Sequence, residues 1–112
     1  MLLAATVLLL WPLAGATASP WPPATCRAQA DKIAGWSHAL LLHYRAVSIY
    51  PAAMSYLLLR DSLARYESHR CPRRTLGVTL ERSLKRRQRT KLLSLLPRAI
   101  ARTLRADLAA AP

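Results

Sequence analysis

Apolar residues recur one helical turn apart along most of this chain. Ile33, Trp36, Leu40, Tyr44 and Val47 share one face of a first predicted helix. Pro51 breaks it, because proline lacks the amide and clashes with the preceding turn, although it is tolerated in the first turn of a new helix. A second helix fits residues 52–67, with Tyr56, Leu59, Leu63 and Tyr66 as its stripe. Leu57, Leu58 and Leu59 make that segment apolar on more than one side, so it is either the centre of the core or a face for a partner. Cys71-Pro72 closes it, and a third helix is predicted from near Thr75, whose hydroxyl fits a cap. Leu76, Leu80 and Leu84 step by four; the stripe lapses at Gln88 and resumes with Leu92, Leu95 and Leu96 before Pro97. Ile100, Leu104 and Leu108 mark a short final helix. With no long strand pattern and no internal repeat, the expected fold is mostly α, a small domain of three to four helices. Ordinary core packing is the favoured reading of each stripe.

The amino-terminal segment has a different grammar. Leu2 to Leu10 is an unbroken run of leucine, alanine, valine and threonine, followed by Trp11-Pro12 and small residues through Ala18. These are the parts of an export signal, with cleavage expected after Ala18. Pro12 cuts the run short of the roughly 20 apolar residues a membrane span requires. The expected organisation is a signal peptide over 1–18, an extended proline-rich lead over 19–25 and a helical domain over 26–112. The first charged residue is Arg27, whereas bacterial signals usually carry an early lysine or arginine, so a eukaryotic or viral secretory route is expected.

Cysteine usage fits that route. Cys26 and Cys71 are the only cysteines among the 112 residues. An even count in an exported chain reads as one bridge, with intermolecular pairing to a partner as the competing reading. A bridge closing this loop would contribute roughly 3 to 4 kcal/mol by chain entropy. His38, His43 and His69 have no spacing that places ligands beside the cysteines, so no metal and no cofactor is expected. The chain contains no asparagine and therefore no acceptor for an N-linked glycan.

Charge divides the chain unevenly. The formal net charge is +12, and from Arg70 onward twelve basic residues face only Glu81 and Asp107. Arg82, Lys85, Arg86, Arg87, Arg89 and Lys91 wrap the helix around Gln88, so that stretch is expected to be solvated on every side. Such a half associates with anionic glycans, lipid headgroups or acidic protein. An exported protein rarely meets nucleic acid, and none is expected as a partner. Lys85-Arg86-Arg87-Gln88-Arg89 also matches the multibasic sites cut by secretory-pathway convertases, but a helix through it would protect it, and a solvated helix face is the favoured reading.

Catalytic patterns are absent from the sequence: it has no nucleophile elbow, no metal-ligand motif and no glycine-rich phosphate loop. Ser37 beside His38 does not make a triad, because adjacent helical residues point apart. The five acidic residues are dispersed, and no enzymatic function is expected.

Arg70-Cys71, then Leu76, Val78-Thr79-Leu80, Ser83, Arg86-Arg87 and the leucines from Leu92, resembles the glycoprotein L family of gammaherpesviruses. The likeness spans about residues 20–108 and is most specific over 70–96. Members of that family usually carry a second disulfide and N-glycans, both missing from this sequence. The resemblance implies a secreted, non-enzymatic subunit without an anchor, held at the virion surface in a heterodimer with the membrane-anchored glycoprotein H. That role supports partner folding, entry and membrane fusion. It also implies a structural pair in Cys26 and Cys71 and a partner interface among Trp36, Tyr44, Tyr56, Leu58 and Leu59. The other reading is a free-standing basic helical ligand or host-defence peptide that binds acidic surfaces.

Overall fold

A computed structural model describes residues 19–112, and the predicted signal segment lies outside the described residues. Five helices follow in order: α1 Pro23–Arg45, α2 Ile49–Ser68, α3 Arg73–Ser83, α4 Arg86–Leu95 and α5 Arg98–Ala109. The described residues contain no strand. The mostly α domain with one disulfide is therefore present, with five helices where three to four were expected.

Proline placement explains most helix starts. Pro22 and Pro23 open α1, where the missing amide costs nothing. Helix thus begins three residues before Cys26, and only the first part of the proline-rich lead is extended. Pro51 sits in the first turn of α2, so that helix begins at Ile49 and not after the proline. α3 starts at Arg73 behind the extended Pro72, which leaves Thr75 inside the first turn, and Pro97 separates α4 from α5. None of these starts carries a hydroxyl cap.

The ends of α1 and α2 share one device. After Arg45 the Ser48 amide donates to the His43 carbonyl at 2.8 Å and the Val47 amide to Tyr44 at 3.0 Å. After Ser68 the Cys71 amide donates to Tyr66 at 3.1 Å and the Arg70 amide to Glu67 at 3.0 Å. Both are Schellman closures, which need a left-handed residue and usually take glycine. Here Val47 at φ 57° and Arg70 at φ 56° fill that place. The first helix therefore stops two residues short of Val47, and the stripe predicted through Tyr44 and Val47 does not reach the core; both are exposed.

α1 and α2 form a long antiparallel hairpin; α3 packs beside the first part of α1, α4 beside its last turns, and α5 packs on α3 and α4. Twenty-three residues of helix make α1 about 34 Å long. The core runs through Ile33, Leu59, Leu63, Tyr66, Leu76, Leu80, Leu84, Leu92 and Leu104. Cys26 and Cys71 are bonded to each other, with Cα atoms 5.5 Å apart, tying the start of α1 to the link between α2 and α3. Trp21 stacks on His69 with centroids 3.9 Å apart, and its amide donates to the His69 carbonyl, which fastens the lead beside the disulfide.

The predicted third helix is two helices. Backbone at Leu84 and Lys85 is extended, with φ/ψ of −118°/135° and −69°/157°. The Gln88 side-chain oxygen accepts the Lys85 amide at 2.8 Å, which caps the new helix α4. Arg89 reaches back and donates from Nη1 to the Leu84 carbonyl at 2.6 Å, and His38 Nε2 donates to the Ser83 carbonyl at 2.7 Å. Polar Gln88 interrupts the leucine stripe because it is a cap. Gln88 and Arg89 are half-buried, which corrects the expectation of a stretch solvated on every side.

Asp107 is the one buried carboxylate among the described residues, 3% exposed on α5. Burial pushes its pKa up from 3.8 to about 6, opposed by Arg73 and assisted by Glu67. Between those values the folded chain keeps a proton that the unfolded chain has given up. Stability therefore falls as pH rises from about 4 through 6, by roughly 3 kcal/mol from this residue, and stays reduced above it. Asp107→Asn is expected to flatten that dependence and to stabilise the chain at pH 7.4 by about 2 kcal/mol in urea unfolding. An unchanged slope between pH 4 and pH 7 would contradict this origin.

Candidate interaction surface

The free end of the α1–α2 hairpin is apolar and uncovered. Leu42, Tyr44, Val47, Ile49, Tyr50, Met54, Leu57 and Leu58 are all exposed, and Val47, Ile49 and Tyr50 at the turn reach 79%, 80% and 82%. They belong to one uncharged stretch, Ala46 to Leu59, with Leu42 and Tyr44 just before it. Local geometry accounts for the exposure. The Schellman turn at Val47 swings the chain round before α2 begins, and α4 reaches the last turns of α1 at Tyr44 without covering the turn itself. Among the described residues nothing covers Val47, Ile49 and Tyr50.

Beside it a groove of about 540 Å³ runs between the end of α1 and α4. Leu41, Leu42 and Tyr44 form one wall, and Arg87 and Lys91 line the other. The Lys91 ammonium lies 5.0 Å from the Tyr44 ring centroid, so the tyrosine ring carries a cation on one face. A smaller hollow of about 450 Å³ between His43, Val47, Ile49 and Ala52 continues the apolar surface round the turn.

The residues singled out from the sequence divide among different environments. Tyr44 is exposed near the free end of the hairpin, and Leu58 is exposed in the middle of α2. Trp36 is half-buried between α1 and α2 beside Lys32, Asp61 and Arg65, and Tyr56 is half-buried with the Arg60 guanidinium 5.9 Å from its ring. Leu59 is fully buried in the core and offers no surface to a partner, which corrects that assignment: of the three consecutive leucines it is the one on the α1-facing side. Leu42, Val47, Ile49, Tyr50, Met54 and Leu57 were missed. The signal for them was the uncharged run flanking Pro51, too short to span a membrane and not one amphipathic stripe.

Of the basic positions, Arg82, Lys85, Arg86, Arg87 and Lys91 are exposed, while Arg89 is spent on the Glu81 and Leu84 carbonyls. No acidic side chain lies in the first turn of α4, so Arg86 and Arg87 stand uncompensated at the positive end of the helix dipole. Among the described residues there is no cluster of histidine, cysteine and carboxylate able to hold a metal, and no helix long and apolar enough to cross a membrane.

The class defined by these features is a single-disulfide, all-helical domain with an apolar hairpin tip and a basic flank. No protein-family model, curated protein or solved structure matches the chain.

Proposed function

We propose that the chain is an exported, non-enzymatic binding subunit that docks its hairpin tip on a membrane-anchored glycoprotein of the glycoprotein H type, as a subunit for viral entry and fusion. The observation that carries docking is the group of exposed large apolar side chains around the hairpin turn, Leu42, Tyr44, Val47, Ile49, Tyr50 and Met54, with Leu57 and Leu58 exposed further along α2. Soluble monomers rarely leave so much large apolar surface in one place without a partner. The partner class comes from the resemblance over residues 70–96, and the flanking Arg45, Arg87 and Lys91 suit a partner whose contact rim is acidic.

Val47 supports the same reading from an independent direction. A β-branched residue in the left-handed region costs on the order of 1–2 kcal/mol, where glycine would cost almost nothing. The chain keeps the valine side chain at the most protruding turn, in solvent. Val47→Gly is expected to stabilise the isolated chain by about 1 kcal/mol, read as a higher midpoint in urea. Unchanged or lower stability would remove strain as an argument for the tip.

Co-expression tests the proposal. Each of a panel of gammaherpesvirus glycoprotein H ectodomains is secreted with the tagged chain or with an Ile49→Ser/Tyr50→Ser variant. Expected is co-secretion of a one-to-one complex with at least one ectodomain, lost in the variant. A stable monomer that pairs with none of them contradicts the partner class.

The exposed cations of α4 favour a second reading, a free-standing ligand of acidic surfaces. It predicts activity without a partner and heparin retention that falls steeply with salt.

A further inference from the structure

The joint between α3 and α4 joins a multibasic sequence to a backbone already out of helix. Leu84 and Lys85 are extended, and Lys85, Arg86 and Arg87 are all exposed. A continuous helix would have shielded these residues; the break removes that protection. We propose that the Arg87–Gln88 bond is a processing site for a dibasic-specific serine endoprotease of the secretory pathway, with Lys85 and Arg86 filling the adjacent basic subsites.

Endoproteases bind their substrates as extended strands, so the first turn of α4 must open for the bond to be cut. Three features make that opening easy. Within α4 the buried residue is Leu92, beyond the bond, and Leu84, ahead of the turn, is already extended, so unwinding Arg86 to Arg89 need not move either core side chain. Arg86 and Arg87 at the positive end of the helix dipole, with no acidic neighbour in that turn, favour fraying. What holds the turn is polar and not apolar packing: the Gln88 cap on the Lys85 amide and the half-buried Arg89 contacts to Glu81 and Leu84.

The chain contains a second basic pair that sharpens the assignment. Arg73-Arg74 lies in the first turn of α3, where Leu76, Gly77, Thr79 and Leu80 are buried directly behind it. The Cys26–Cys71 bond and the Tyr66 hydroxyl, which donates to the Pro72 carbonyl, anchor its approach. Opening that turn disrupts the core, so α4 is the preferred place.

Cleavage adds water across the Arg87–Gln88 peptide bond, giving a carboxylate on Arg87 and an ammonium on Gln88. Both cysteines precede the cut, so residues 88–112 remain attached only non-covalently, by the Arg89 hydrogen bonds to Glu81 and Leu84 and by packing of Leu92, Leu96, Ala101 and Leu104. The product is a nicked two-chain domain whose basic tail can leave.

That the chain meets such a protease rests on the export reading; the susceptibility of the bond does not. The full chain, purified with its disulfide formed, is incubated with a soluble furin-type convertase and followed by intact mass. Expected is a first cut after Arg87, with the two products separating on a denaturing gel without reductant. Arg86→Gln/Arg87→Gln should slow it at least tenfold, and Arg73→Gln/Arg74→Gln should leave it unchanged. No cut under conditions that consume a dibasic peptide, a first cut after Arg74, or equal rates for the 86/87 variant overturns the assignment. A chain retained inside cells yet cut after Arg87 in the tube supports the site and contradicts export.

Discussion

Gly77→Ala is expected to destabilise the domain by about 4 kcal/mol, among the largest effects of any single methyl group in this chain. A Cβ at Gly77 would overlap the Asp107 backbone, lying 2.9 Å from its carbonyl carbon and 3.3 Å from the Ala111 Cβ. Neither backbone can yield without separating α3 from α5, and that separation withdraws Ala101 and Leu104 from the core. Gly35 supplies the control. It lies inside α1 with nothing within 4 Å of where its Cβ would stand, so Gly35→Ala removes only the entropic penalty of glycine in a helix. That change is expected to stabilise the chain by roughly 0.5 to 1 kcal/mol. Urea midpoints of the two variants should move in opposite directions, and a neutral Gly77→Ala would contradict the close crossing of α3 and α5.

Opening the disulfide should have a comparable effect. Cys26 and Cys71 are 45 residues apart, and joining them removes roughly 3 to 4 kcal/mol of chain entropy from the unfolded state. Cys26→Ser/Cys71→Ser is expected to lower stability by that amount, enough to leave a domain of this size largely unfolded at 37 °C. Loss should concentrate where the bond acts: the Trp21–His69 stack and the start of α1 should exchange amide hydrogens first. The hairpin tip, at the far end of α1, should change least. Uniform loss of protection across the chain would contradict a local tether.

Much of the fold was legible in the spacing of leucines. Leu59, Leu63 and Tyr66 on α2, Leu76 and Leu80 on α3 and Leu84 just after it are buried as their periodicity predicts. The failures have physical causes. A continuous third helix was inferred because Gln88 counted as a missing apolar residue, whereas it is the third residue of α4 and turns back to the Lys85 amide. Lysine, not serine or threonine, stands at the start of that motif, so the pattern carried no familiar cap signature. α1 was extended to Val47 because valine at positive φ is rare and the sequence holds no glycine to mark the turn. α5 turns its buried face toward Ala101, Leu104 and Asp107, since the close approach at Gly77 sets its rotation; Ile100 and Leu108 are only half-buried.

The candidate site was legible only in part, and for a related reason. Exposure of Ile49 and Tyr50 depends on where α3, α4 and α5 stop along the hairpin, which no local pattern encodes. Helical spacing marks faces, so Tyr44 and Tyr56 were selected together although one lies near Lys91 of α4 and the other near Arg60 of its own helix. The apolar residues of the turn sit off any single stripe, and only the absence of charge between Ala46 and Leu59 singles them out.

Binding and stability move in opposite directions at Val47 if the tip is a docking surface, and this separates function from folding. The decisive measurement is the affinity of purified Val47→Gly for cells displaying whichever glycoprotein H-type ectodomain pairs with the chain, compared with wild type and Arg86→Gln/Arg87→Gln. Expected is a Val47→Gly variant that unfolds at higher urea yet binds at least tenfold more weakly, with the α4 variant changed mainly in its salt dependence. Undiminished binding by Val47→Gly, or binding abolished only when the α4 arginines are replaced, would contradict the tip as the docking surface.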